Sequence, residues 1–156
     1  MAQTRVLFTT LRAGDTLPLV AHKLQPLEAR ERNIKYYLPL PADTPAPFGE
    51  WLDGIFERKL RAAIIARIAR LQGGNFSDSK PIGDGALESR IDFGPGYRIY
   101  YGTDGNDVIL LYGGEKSTQT SDIEIAKKFW KDYKERTKKN AKKSRLQSRS
   151  SRRSSR

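Results

Sequence analysis

Apolar and polar positions follow two different periods along the chain. Ile34, Tyr36 and Leu38 alternate with Lys35 and Tyr37, the period of two that predicts a short strand. The Pro-rich stretch PLPADTPAP at 39–47 then predicts an extended connector, because proline fixes its own φ and biases its predecessor away from helix. From Phe48 the period lengthens. FGEWLDGIFERKLRAAIIARIARLQGGN puts Leu60, Ile64, Ile68 and Leu71 on one stripe, which predicts an amphipathic helix, or two helices parted near Gly54. Gly73 and Gly74 stand where a C-terminal cap is expected.

Alternation returns further on. Leu87, Ser89, Ile91 and Phe93 interleave with Glu88, Arg90 and Asp92, and Gly94-Pro95-Gly96 marks a reversal. Residues 97–101 supply the partner strand, Asp104-Gly105-Asn106 a second tight turn, and 108–112 the apolar run of a central strand. Ser121 and Glu124 have the S-x-x-E spacing of a capping box, opening a helix whose Ile123, Ala126, Trp130 and Tyr133 share a face. The order strand, helix or helix pair, three-strand meander, helix predicts an α+β fold, an antiparallel-rich sheet with helices covering one face.

Charge changes the picture at the end of the chain. The 156 residues carry 29 Lys+Arg and 18 Asp+Glu, but residues 136–156 hold ten of the cations and no acid, leaving 19 against 18 elsewhere. The run RTKKNAKKSRLQSRSSRRSSR has one Leu and no aromatic residue. That is too little apolar surface to offset the entropy of ordering, and disorder is expected from about residue 140. Such a run condenses on phosphate backbones by counterion release, with Lys142, Lys143 and Arg145 as candidate RNA contacts. Residues 1–32 form an unassigned extension. Arg12, Asp15 and Pro18 interrupt its apolar residues, so no signal-peptide core is expected, and no stretch reaches the roughly 18 to 20 apolar residues of a membrane span. These patterns predict a cytoplasmic protein with no membrane partner. The chain has no Cys and a single His, His22, which argues against disulfides, thiol nucleophiles, Cys-rich zinc sites and imidazole chemistry; no metal or cofactor is expected.

Candidate chemistry lies on the sheet. Period two puts Glu88, Arg90 and Asp92 on one side of their strand and Arg98 with Tyr100 on one side of the next. A hairpin brings them across from one another, either as a solvated face with cross-strand ion pairs or as a cationic site. The loops at 75–85, with Lys80, and at 113–119, with Lys116, carry further cations toward it. Neither has the G-x-x-x-x-G-K-[ST] spacing of a P-loop. Their glycines, Gly113 and Gly114 included, read as turn residues with special backbone angles.

The motifs KPIGDG, ESRIDFGPGYRIYY and GGEKSTQ leading into DIEIAKK occur in that order. Over residues 33–134 the chain resembles the addiction-module killer proteins, the HigB-like branch of the RelE/ParE toxin superfamily. Departures are the Pro-rich insertion, Tyr112 where a small residue or Cys is common, and both terminal extensions. The resemblance implies a small RelE/ParE-like toxin domain over 33–134; residues 135–156 follow it as a basic tail. It implies a toxin of a type II toxin–antitoxin system, a metal-independent endoribonuclease that cuts mRNA on the ribosome and inhibits translation. Its partner would be a cognate antitoxin, typically a helix-turn-helix DNA-binding protein, and helix 57–72 and the sheet edges offer docking surfaces. By the same resemblance the sheet arginine is Arg98, the charged pair before it Glu88 and Arg90, the basic residue after the last strand Lys116, and the lysine of KPIGDG Lys80. RelE itself has two lysines where this chain has Glu88 and Arg90.

Attack of a ribose 2′-hydroxyl on the adjacent phosphate needs in-line positioning, a proton acceptor, charge stabilisation and protonation of the leaving oxygen. Arg98 and Arg90 are assigned to the phosphate, Glu88 to the 2′-hydroxyl proton, and Lys116 or Lys80 to the leaving oxygen. Tyr100 is assigned to stacking a base or orienting the phosphate, whereas Tyr97 and Tyr101, of opposite parity, are expected in the core. A Glu88 ion pair with Arg90 or Arg98 is the competing expectation for that carboxylate. Two other functions fit the pattern: a ParE-like gyrase inhibitor that cuts nothing, and a nucleic-acid-binding accessory protein driven by the tail.

Overall fold

A computed structural model describes residues 31–153; the rest of the N-terminal extension, with His22, lies outside them. The elements are β1 (Asn33–Tyr36), α1 (Pro47–Asp53), α2 (Arg58–Gln72), β2 (Ser79–Gly83), β3 (Ala86–Ile91), β4 (Tyr97–Asp104), β5 (Asp107–Glu115) and α3 (Gln119–Arg153). The strands form one sheet in the order β1-β5-β4-β3-β2, with β1 parallel to β5 and every other pair antiparallel. The fold is α+β, as the order of elements requires. Two separate helices precede the meander: Pro47 opens the first, and Gly54 ends it by donating to Glu50. Gly73 and the positive-φ Gly74 end the second.

The sheet has one strand more than the pattern predicts. Residues 75–85 were expected as a loop, but Ser79–Gly83 pairs with β3, setting Lys80 opposite Glu88. Pro81 and Gly83 disguise the strand. At a sheet edge proline is tolerated, because its missing N–H would have had no ladder partner.

Helices cover both faces, not one. Phe48 and Leu52 of α1 and Leu60, Ile64 and Leu71 of α2 pack on Ile91, Ile99, Tyr101, Val108 and Leu110. On the other face Ala126 and Trp130 of α3 lie against Ala86, Tyr100, Ile109 and Leu111. Tyr101 is core as expected, and Tyr97 packs beside it. Tyr100 has the parity expected of it but is fully buried beneath α3. Small residues let that helix approach: a Cβ at Gly102 would fall 2.5 Å from the Trp130 ring.

At the β1 edge the buried residue is Tyr37, whereas Tyr36 and Leu38, of the opposite parity, are exposed. The Tyr37 ring stacks on Phe129 at 4.8 Å, and its hydroxyl donates to Asp132 Oδ2 at 2.8 Å. Burial, reinforced by that carboxylate, pushes its phenol up to about 12. Burial also raises Tyr100, Tyr101 and Tyr133. The folded protein therefore keeps protons that the unfolded chain releases from about pH 10. Stability is expected to hold below that pH and to fall as pH rises through about 12. Urea melts at stepped alkaline pH check this, with Tyr37→Phe losing less of its stability over the window; equal losses would refute the assignment.

The C-terminal helix departs from expectation at both ends. It begins at Gln119, directly after a 3₁₀ turn at Lys116–Thr118. Ser121 is already inside, donating to the Thr118 carbonyl at 2.9 Å, so the S-x-x-E pair does not cap it. Thr118 instead donates to the buried Asp122 carboxylate at 2.6 Å. At the far end the chain is helical through Arg153 where disorder was expected. Lack of apolar surface argues only against packing. Once the docked turns nucleate the helix, each further residue adds one hydrogen bond for one residue fixed, and Lys, Arg, Gln, Leu and Ala are good helix formers. No Gly or Pro interrupts residues 119–153.

Candidate functional site

The charged residues of the hairpin occupy a grid on the α3 face. In one row Lys80, Glu88 and Tyr100 stand on neighbouring strands; in the next Arg90 is directly opposite Arg98, which is opposite Gly114. Side chains at i and i+2 share a face, so the rows are about 6.6 Å apart. Lys80, Glu88, Arg90, Arg98 and Gln119 line one open cleft of about 330 Å³. Arg90, Arg98 and Lys116 line a second of about 380 Å³ around the β3–β4 turn. The two arginines join them into one surface. Lys116 is held there by its backbone N–H, which donates to the Gly96 carbonyl at 2.9 Å. Gly96 has φ +92, and a Cβ on it would sit 3.6 Å from Arg98 Nη1 and 3.7 Å from Lys116 Cβ.

Arg98 is the unusual member. It is 7% exposed, its Nη1 donates to the Tyr97 carbonyl at 3.0 Å, and its buried Nε has no partner. Among the described residues no carboxylate makes an ion pair with it. Arg90, across the ladder, turns to Asp92 at 3.3 Å and stays exposed. Like charges opposite one another in a sheet destabilise it, and a buried charge without a counterion costs still more. An anion between the two guanidiniums removes both penalties, and planar guanidiniums match the geometry of a phosphate.

Glu88 is 9% exposed and makes no ion pair with either arginine. Its partner is Gln119, whose amide nitrogen lies 2.8 and 3.2 Å from the two carboxylate oxygens. Gln119, the last residue of GGEKSTQ, is the functional neighbour that sequence reasoning missed. Its signal was the helix start: a polar residue in the first turn of α3 points back over the sheet. Asp78 is absent from that reasoning too. It anchors the cleft's outer wall through ion pairs with Arg67 and Arg70 of α2, and the Arg67 contact holds its carboxyl below the usual carboxylate range.

The structure thus brings Arg98, Arg90, Glu88, Lys80 and Lys116 together. Tyr100 lies under this surface, sealed by α3, and cannot stack a base; burial and the nearby Asp122 and Glu88 carboxylates raise its phenol instead. Lys142, Lys143 and Arg145 do not join the cleft. They lie on the distal half of α3, 23 or more residues from Gln119, or roughly 35 Å along the axis. Among the described residues no group of His, Cys, Asp and Glu is arranged to hold a metal ion, and no helix is long and apolar enough to cross a membrane.

An uncharacterized protein of Haemophilus influenzae is 51% identical over 85 residues, which are 54% of this chain and 86% of that protein. The chain belongs to its family. No family model matches the sequence, and no solved structure matches it.

Proposed function

We propose that the protein is the toxin of a type II toxin–antitoxin pair, a metal-independent mRNA endoribonuclease that works in the cytoplasm on translating ribosomes and is silenced by an antitoxin. One observation carries the reading: Arg98 is buried, with no carboxylate in ion-pair contact among the described residues, in a cleft where Arg90 faces it. That pair calls for an anion, and the groups around it are those that phosphodiester cleavage needs.

The grid orders the reaction. Glu88 and Lys80 lie on one side of the arginine row, Lys116 and Gly96 on the other. With the scissile phosphate on Arg90 and Arg98, Glu88 accepts the 2′-hydroxyl proton, and the 2′-oxygen attacks phosphorus. The P–O5′ bond breaks on the far side, where Lys116 protonates the departing oxygen, leaving a 2′,3′-cyclic phosphate and a 5′-hydroxyl. Acceptor and donor on opposite sides of the charge clamp suit in-line displacement. Lys80, on the acceptor side, holds a neighbouring phosphate.

Induced expression of the intact chain and of Arg98→Met in bacteria, followed by 5′-end mapping of transcripts, tests this. Codon-phased cuts from the intact chain alone are expected. Growth arrest without cuts, accompanied by DNA-damage signalling, would favour gyrase inhibition instead. Gln119→Leu probes the Glu88 assignment. Loss of the amide that aims the carboxylate is expected to lower kcat by about 10- to 100-fold with KM little changed; unchanged kcat would remove Glu88 from the acceptor role.

A further inference from the structure

A row of cations runs along one side of α3. Starting from Lys127, cations recur at 131, 134, 138, 142, 145, 149 and 152. These seven steps cover 25 residues, about 3.6 per step, which is the period of an α-helix. The cations therefore form a straight stripe parallel to the axis, roughly 37 Å long at 1.5 Å per residue. At 100° per residue all of them fall within about 80° of arc. Lys128, Lys139 and Lys143 lie off it, roughly 100° to 160° round from Lys127.

Two members are engaged at the proximal end. Lys127 pairs with Asp84 in the β2–β3 turn at 3.7 Å, and Lys134 donates to the Asp84 carbonyl at 2.7 Å and lies over the Trp130 ring. Together with Lys128, Lys131, Asp84 and Glu124 they border a groove of about 560 Å³. The remaining six, Lys131, Lys138, Lys142, Arg145, Arg149 and Arg152, make no ion pair among the described residues. The last acidic residue is Glu135. The stripe also meets the cleft. Lys127 Nζ lies 3.4 Å from where a Cβ on Gly83 would be, and Gly83 ends the strand that carries Lys80. Three residues of strand, about 10 Å, separate the two.

We propose that this stripe binds the sugar–phosphate backbone of an RNA whose other end lies in the Arg90–Arg98 cleft. The inference rests on reading that cleft as an RNA site. A linear row of unpaired cations matches a linear polyanion, and backbone contacts supply affinity and register without reading bases. A membrane surface fits less well. Beyond Tyr133 the only large apolar side chain on the helix is Leu146, whereas an interfacial helix needs an apolar face to bury.

The test compares the full-length chain with two charge-matched triple variants, Lys142→Gln/Arg145→Gln/Arg149→Gln on the stripe and Lys59→Gln/Lys139→Gln/Lys143→Gln off it. The probe is a single-stranded 2′-O-methyl RNA, which has no free 2′-hydroxyl to react, in a long form spanning cleft and stripe and a short form filling the cleft alone. For the long RNA, the on-stripe triple is expected to lower the slope of log Kd against log salt by about 2, at about 0.7 per lost phosphate contact on a single strand. The off-stripe triple should change it by less than half as much. The short RNA should sense neither. Equal effects of the two triples, an on-stripe effect as large for the short RNA as for the long, or tight binding to phosphatidylserine vesicles with none to RNA would each overturn the stripe. Arg98→Met separates the two readings: if it leaves short-RNA binding unchanged, the cleft assignment fails, while the contrast between the triples still decides the stripe.

Discussion

Arg98→Met is expected to lower RNA cleavage by about 100- to 1,000-fold, the loss typical of removing one preorganised group that stabilises transition-state charge. The same substitution should leave the melting temperature unchanged or raise it. Both follow from one arrangement: a buried guanidinium that makes no ion pair among the described residues, directly opposite a second guanidinium. Methionine keeps the unbranched stem that packs between the strands and removes the charge that repels Arg90. An anion-binding residue of this kind costs the empty protein stability and returns it when the phosphate arrives, so function and stability should move apart. Single-turnover cleavage of a labelled RNA and a thermal melt of the same preparation check the pair of outcomes. A melting temperature several degrees lower, with cleavage retained, would make Arg98 a packing residue and sink the site.

Gly113→Ala should be the most disruptive methyl group on the sheet. A Cβ there would fall 2.1 Å from Cε3 of Trp51, which α1 lays against β5. The contact is made by a rigid ring rather than the tip of a flexible chain. Either α1 must lift or the strand must bend, and overpacking of this severity costs about 3 kcal/mol. For a chain of this size each kcal/mol lowers the melting temperature by roughly 2–4 °C. Gly105→Ala is the control: nothing lies within 4 Å of its added Cβ, and only its positive φ is penalised, at about 1–2 kcal/mol. Trimming the ring in a Trp51→Leu/Gly113→Ala double variant should recover part of the loss, giving a total smaller than the sum of the singles. Strictly additive losses would mean that the clash is not the cause.

Gly113 also illustrates what the sequence conceals. The pair Gly113-Gly114 reads as a turn because glycine usually supplies unusual backbone angles, yet both residues are in β5. They are small because neighbours on opposite faces press on them, Trp51 on one side and Asp122 on the other. Local pattern carries no trace of such neighbours. Where local rules suffice, the elements are legible: the meander and the Arg98, Arg90 and Glu88 alignment follow from period and parity, and the break near Gly54 is one of the two outcomes the pattern allows. Tyr100 has the expected parity as well, but its exposure depends on where a helix starting nineteen residues later comes to rest. β2 is hidden by Pro81, acceptable only because the strand is at the edge. The long extension of α3 follows from propagation, a cooperative property that a residue-by-residue count of apolar surface does not capture.

The chain has two tryptophans, and the architecture deals one to each side of the sheet. Trp51 belongs to the α1–α2 layer and Trp130 to the α3 layer. Each layer therefore carries its own fluorophore, and two single Trp→Phe chains would report the detachment of each layer separately. The α3 layer closes over the Glu88–Gln119 end of the cleft with one helix, whereas two helices hold the opposite face. The Trp130 emission is thus an optical gauge of whether the single-helix side opens before the rest of the molecule melts.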